Sequence, residues 1–310
     1  MTAIGLMFEG QLGLTWERWQ RLLTAAEDLG YQCVFRSDHF TTNQQPPDDD
    51  ALELWVSLTY AAMQTKRIEF GSMVAPVTFR HPAIQAAMAS AVDDLSGGRL
   101  VLGMGAGWNE REHRQFGIPL YDMKTRFEML RDALEVTTRL FNSDAPVSYE
   151  GKYFSLDEAL LLPRPQRKGG PSILIGGSGQ KRTIPLVAEF ANEWNGNAIS
   201  AEQYRATNAV LNELLDRRGR PRNAVKRSTV LQVNFAKDDA DWRQMKAERG
   251  IDVTPNMING TASMVIDQLG AFVDAGVERF MLQWLHQNDI DRLEVMARDV
   301  LPHFHTQGSP

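Results

Sequence analysis

Cysteine is nearly absent. Cys33 is the only one, so the chain cannot close an intramolecular disulfide, and a cytoplasmic home is expected. It sits in the apolar run Tyr31–Phe35, which reads as a small core residue rather than a nucleophile. No stretch of ~18 apolar residues occurs, so no membrane-spanning helix is expected. The opening MTAIGLMFEGQLG lacks a basic segment followed by an apolar one, and no secretory signal is expected. No Lys/Arg run exceeds two residues, and the net charge is −6. Nucleic acid and anionic membranes both demand clustered cations, so neither is an expected partner. No His/Cys spacing suits zinc, and no metal is expected. A G-x-S-x-G elbow and a Walker loop are both missing.

What is present is a rhythm. Short β-type runs alternate with helical patterns, the signature of a parallel sheet. The runs are Ala3–Phe8, Tyr31–Phe35, Ile68–Val74, Arg99–Gly103, Ser172–Ile175, Glu193–Trp194, Val230–Phe235 and Arg279–Trp284. Thr15 is placed to cap the first helix, and Gly30 to end it. Other helices are predicted over 51–64, from Pro82, after Asp122, over 180–191, 201–218 and about 238–248, after Thr261, and over 289–300. Eight strand-plus-helix units fit a closed (β/α)₈ barrel. An open doubly wound sheet is the alternative. The last strand has no edge protection, which favours closure. One domain is expected over 1–310. The stretch 143–171 breaks the rhythm: it reads as a hairpin turning at Glu150-Gly151 with a Pro-rich connector, inserted into the barrel.

Barrels of this kind work at the C-terminal ends of their strands, so the residues just after each strand matter most. The second strand runs into Asp38-His39. His39 suits acid/base work near neutral pH, with Asp38 or a carbonyl fixing its tautomer. A histidine bonded only to backbone fits equally well. His81, before the Pro that opens a helix, reads as structural. After the fourth strand stands Gly103-Met104-Gly105-Ala106-Gly107-Trp108-Asn109. Its alternate glycines would let a planar ligand approach the backbone, although the dinucleotide fingerprint is missing. After the fifth comes Gly176-Gly177-Ser178-Gly179-Gln180-Lys181-Arg182. A Gly-rich loop feeding a helix N-terminus attracts phosphate, and Asn195 is placed beside it. The acidic pairs near Asp48 and Asp238 read as solvated helix starts, and His303 and His305 as tail residues.

Together SDHF, RHPA, LSGGRLVLGMGAGWNEREHRQFG, YEGKYFSLDEALLLPRPQ and ILIGGSGQKRT with VAEFANEWN resemble the bacterial luciferase-like superfamily, on its branch of coenzyme F420-dependent oxidoreductases. The likeness runs from Ile4 to about Leu301. It implies a (β/α)₈ barrel that binds F420, or alternatively FMN, with the ring in the barrel mouth and the phosphate on Gly176, Gly177, Ser178, Gly179 and Gln180. It implies a cis Met73–Val74 peptide. It also implies that Asp38, Met73, Val74, Ala106, Gly107, Asn109 and Asn195 hold the cofactor, and that His39 is the catalytic acid/base. Phe8 and Trp108 are expected in the substrate pocket. Sugar-phosphate dehydrogenases of the branch carry Glu where Trp108 stands and Trp where Asn43 stands. Those departures speak against a sugar phosphate and for a more apolar substrate. The expected activity is hydride transfer between deazaflavin C5 and a small organic substrate. The alternatives are an FMN-dependent monooxygenase and a non-catalytic flavin-binding relative. A lid over 236–260 with Trp242, Met245 and Met257, a tail site at Lys181, Arg182 and Arg80, and a homodimer complete the expectations.

Overall fold

A computed structural model describes residues 2–42, 49–251, 254 and 257–304. Asn43, Asp48 and His305 lie outside the described residues. Eight strands alternate with helices: β1 (Ala3–Phe8), β2 (Cys33–Arg36), β3 (Glu69–Ser72), β4 (Leu100–Gly105), β5 (Ser172–Gly176), β6 (Glu193–Asn197), β7 (Lys226–Phe235) and β8 (Arg279–Gln283). Each pairs in parallel with its neighbour, and β8 pairs with β1. The sheet is therefore a closed barrel, and the open alternative is ruled out.

The helices are α1 (Trp16–Asp28), α2 (Leu54–Gln64), α3 (Pro82–Leu95), α4 (Glu110–Gln115), α5 (Met123–Asn142), α6 (Thr183–Phe190), α7 (Ala201–Arg217), α8 (Asp239–Arg249), α9 (Ala262–Asp274) and α10 (Ile290–Asp299). Their starts follow the sequence. Thr15, Asp122 and Ser200 cap α1, α5 and α7 by accepting from first-turn N–H groups, each cap worth about 1 kcal/mol. His81 caps α3 in the same way, in keeping with its structural reading. Two elements escaped the periodicity. The six residues of α4 are too few to show a stripe. Met257–Gly260 is a short strand beside the far end of β7, inside the stretch expected as a lid. β7 also starts earlier than expected, because the polar Lys226–Thr229 segment pairs with β6. The hairpin at 143–171 is present as Val147–Glu150 against Ser155–Ala159.

Side chains alternate along each strand, and this alternation sorts the core in two. Met7, Cys33, Phe35, Val101, Leu174 and Met281 fill the barrel interior. Leu6, Phe8, Val34, Leu102 and Ile175 belong to the larger core between barrel and helices. Phe8 is thus not a pocket residue. It is fully buried and meets Trp19 of α1 edge-on, with ring centroids 6.2 Å apart. One step of the period-two pattern gives its expected place to Met7. Cys33 is buried in the same interior, and burial pushes its thiol up to about 12. An inert core residue is what remains. Below it, Arg279 is held between Glu69 and Glu193.

The glycines of β4 have a packing job beside the one their spacing suggested. A Cβ on Gly103 would lie 2.0 Å from Ser72 O, and one on Gly105 would lie 2.5 Å from a Val74 methyl. They let β3 and the Val74 side chain close on β4, while Gly105 also lines a cavity at the barrel mouth. Gly103→Ala should cost about 1–3 kcal/mol through this overpacking, read as a lower urea midpoint. An unchanged midpoint would mean that β3 and β4 are less tightly apposed than the structure has them.

Candidate active site

Two connected lobes open at the C-terminal ends of the strands. One, of about 330 Å³, is walled by Met73, Val74, Ala106, Gly107, Gly176, Gly177, Thr183 and Asn195, among others. The other, of about 390 Å³, is walled by Met7, Glu9, Gln11, Ser37, Val230, Gln232, Met257 and Gln283, among others. His39, Met73, Trp108 and Asn197 line both lobes. Each volume lies in the range of small-molecule sites.

His39 stands at the junction. Its Nδ1 is 2.8 Å from Glu112 Oε1, and the other Glu112 oxygen accepts from Phe40 N–H at 3.1 Å. An ionised carboxylate only accepts, so it fixes the Nδ1–H tautomer and leaves Nε2 to exchange protons. Burial works against the imidazolium, but the hydrogen bond and charge of Glu112, with the charges of Glu9 and Asp38, outweigh it and raise the His39 pKa. Trp108 meets the imidazole edge-on at 5.5 Å and is 61% exposed at the lip.

In the first lobe the Met73–Val74 peptide is cis, as the resemblance implied. Asn195 is fully buried; its Nδ2 donates to Ser228 Oγ, while Oδ1 has no partner. Arg126 donates to Gly107 O, while its Nε is likewise unpartnered. Both residues line this lobe. At its edge, Gly177 adopts φ 125°, a conformation closed to L side chains. Its N–H donates to Asn195 O, which brings Asn195 beside the loop as expected. The N–H groups of Arg182, Thr183 and Ile184 converge on Gly179 O. The N–H groups of Ser178, Gly179, Gln180 and Lys181 have no recorded partner, a run of donors suited to an anion.

Several expected ligand residues are occupied with other work. The Asp38 carboxylate is 2% exposed and bound by both terminal nitrogens of Arg80. It lines neither lobe. Arg80 also holds Glu53, which removes it from the candidate tail site. Asn109 caps α4 with its Oδ1 and accepts from His113 Nδ1 with its carbonyl. The Ser178 hydroxyl is saturated by the N–H and C=O of Asn197. Gln180 is exposed and bonds Thr207 at 3.4 Å. Of the supposed lid, Met257 reaches the cavity, whereas Met245 is buried. The residues that sequence reading missed are Glu112, Glu9, Arg126, Gln232 and Gln283. Glu112 had a signal in principle: it follows Asn109 by three residues, so a helix starting there carries it back toward the barrel mouth.

The pair has a pH signature. A histidine with a raised folded-state pKa contributes stability below its unfolded value, and loses it as pH rises through the folded one. Glu112→Gln removes the hydrogen bond and charge that oppose burial most and leaves only the charges of Glu9 and Asp38 against it. The His39 pKa should then fall, read from its imidazole proton shift by NMR titration, and the neutral-pH slope of urea stability should flatten. An unchanged titration would detach Glu112 from His39.

Comparison with known proteins places this geometry. Residues 5–264 match the family of luciferase-like monooxygenases. An F420-dependent glucose-6-phosphate dehydrogenase of Intrasporangium calvum is 29% identical over 226 residues, 69% of this chain and 64% of that protein. The match therefore spans less than two thirds of that relative's length. An F420-dependent secondary alcohol dehydrogenase, solved with an F420–acetone adduct, superposes with a TM-score of 0.84 at 20% identity, over 98% of this chain and 99% of its own. The oxygenating constituent of 3,6-diketocamphane monooxygenase from the CAM plasmid of Pseudomonas putida, solved with FMN, gives 0.75 at 18% identity, over 97% and 98%. At these identities the two structures speak for the fold.

Proposed function

The chain belongs to the luciferase-like monooxygenase family, and from that membership we propose that it is an F420-dependent oxidoreductase acting on a small organic substrate. The observation that carries this reading is His39 at the meeting of two lobes, with Nδ1 tied to Glu112. The first lobe suits a planar ring with a phosphate: among the described residues it offers an unpartnered buried Asn195 oxygen and an unpartnered Arg126 nitrogen, and the N–H run after β5 follows directly on its Gly176 and Gly177 edge. Met73, Val74, Ala106, Gly107 and Asn195 would hold the ring. The backbone at Gly176, Gly177, Ser178, Gly179 and Gln180 would hold the phosphate. Lys181 and Arg182, both exposed, would meet an anionic tail. A bound deazaflavin supplies a C5 that accepts or donates hydride.

This chain's own residues supply the proton chemistry and the orientation. In the oxidative direction His39 Nε2 would take the hydroxyl proton as an alcohol carbon becomes a carbonyl carbon; in reverse it returns that proton. Glu112 steadies the imidazolium so formed. Trp108 screens the junction from the solvent side. Sugar-phosphate oxidation, named for the Intrasporangium relative, is not the reading favoured here, since no Lys or Arg lines the second lobe. A homodimer is the assembly we propose, by family likeness.

Parallel titrations of the purified protein with F420 and with FMN, by fluorescence and calorimetry, test the assignment. Tight F420 binding with weak FMN binding is expected. The reverse would point to an oxygen-dependent monooxygenase, and binding of neither would overturn the assigned cradle. His39→Ala should leave cofactor affinity intact and lower turnover by about 10²–10⁴-fold; unaffected turnover would remove His39 from the mechanism.

A further inference from the structure

The second lobe has an uneven character that the sequence did not reveal. Its floor is apolar, made by Met7, Val230, Met73 and Met257. Its rim is polar, made by Glu9, Gln11, Ser37, Gln232 and Gln283. Among the described residues that line it, Glu9 and His39 are the ionisable ones, and no Lys or Arg is present. The adjoining recess toward Thr41, Thr42 and Leu285 has none either.

Glu9 is held in place rather than neutralised. Gln11 Nε2 donates to one carboxylate oxygen at 2.8 Å, and Gln283 Nε2 donates to the other. Ser37 Oγ donates to Gln11 Oε1 at 2.7 Å, and Gln287 Nε2 donates to the Glu9 carbonyl at 2.8 Å. These donors are uncharged amides and a hydroxyl, so they orient the carboxylate without cancelling its charge. A carboxylate offers about four lone-pair sites, and the two amides leave acceptors free. Arg36, which feels the Glu9 charge from behind Gly10, spends its donors on Ser37 O, Leu52 O and Ser57 Oγ and does not line the lobe.

We infer that Glu9 selects the substrate, which is a hydroxyl-bearing molecule that is uncharged or carries an amine, with a short apolar skeleton. The hydroxyl lies toward His39, the skeleton rests on the methionine floor, and a second donor, N–H or O–H, reaches Glu9. A phosphate or carboxylate in this lobe meets Glu9 with no Lys or Arg among the described lining residues to offset it, the one cationisable group there, His39, being already paired with Glu112, and like charges at close range in a part-buried site repel by several-fold in affinity. On this inference the more apolar substrate expected from Trp108 carries polar groups as well. This inference rests on the oxidoreductase reading only for the direction in which the hydroxyl faces.

The test uses three probes that share a skeleton and differ in charge: butan-2-ol, 4-aminobutan-2-ol and 3-hydroxybutyrate. Binding is read from the His39 imidazole shift by NMR, without turnover, on the cofactor-loaded and cofactor-free protein. The amine and the neutral alcohol should bind, the amine more tightly, and the hydroxy acid more weakly than either by about five- to tenfold. Glu9→Gln should collapse the difference between amine and acid while leaving cofactor affinity unchanged. Equal or tighter binding of 3-hydroxybutyrate by the wild-type protein would overturn the inference, without any variant being needed. So would an unchanged ratio in Glu9→Gln, or failure of both the amine and the neutral alcohol to bind. Charge discrimination by a protein that binds neither F420 nor FMN would leave Glu9 standing and sink the functional reading. Cofactor binding without discrimination would do the opposite.

Discussion

The site hangs on a carboxylate with almost no water around it. Glu112 is 1% exposed, on a short helix after β4, and its two oxygens take one hydrogen from His39 and one from the backbone of Phe40. Both partners come from the loop after β2, so one side chain ties two strand ends together. Stripped of either partner, a charge at that depth would be uncompensated, a loss of several kcal/mol by the general experience with buried ion pairs. That cost enforces the geometry. With Nδ1 committed to Glu112, the imidazole turns its other nitrogen to the cavity, and Trp108 packs edge-on against the ring. The acid/base group, the lip of the pocket and the junction of the two lobes are thus set by one interaction.

The strand-and-helix order was legible because it depends on local periodicity, and parallel closure follows once eight units are counted. Helix starts at Thr15 and Asp122 were legible for the same reason. What resisted were features decided by contact across the barrel. Phe8 and Met7 are equally apolar in the sequence; which one faces inward depends on the register with β2 and β8. Asp38 and Ser178 look like ligand groups until Arg80 and Asn197 are brought beside them. The packing role of Gly103, pressed by Ser72, is likewise invisible until β3 is brought beside β4. In each case the residue type was informative and its partner was not, because the partner lies tens of residues away. The cis peptide at Met73–Val74 came from family likeness alone.

The polar residues that line the second lobe show the same limit from the other side. Glu9 follows β1, Gln232 lies on β7 and Gln283 ends β8, far apart in the chain and none in a motif. Only closure of β8 onto β1, with β7 alongside, gathers them. A barrel spreads a site over all its strands, so the candidate phosphate loop and the candidate acid/base histidine, each carried by one local run, can be read early. Substrate selection, distributed over the ring, cannot.

Charge placement separates the two halves of the cavity. The cations near the mouth are held by acids or by backbone carbonyls: Arg80 by Asp38 and Glu53, and Arg126 by Gly107. Lys181 and Arg182 stay exposed on the loop after β5, beside the free N–H run. Among the described residues, Arg126 is the cation that lines the first lobe, and Glu9 is the acid that lines the second. Two ligands of opposite electrostatic preference can then share one mouth without competing for the same lobe, and His39, whose pKa is raised by carboxylates from both strand-end loops, sits where the two fields meet.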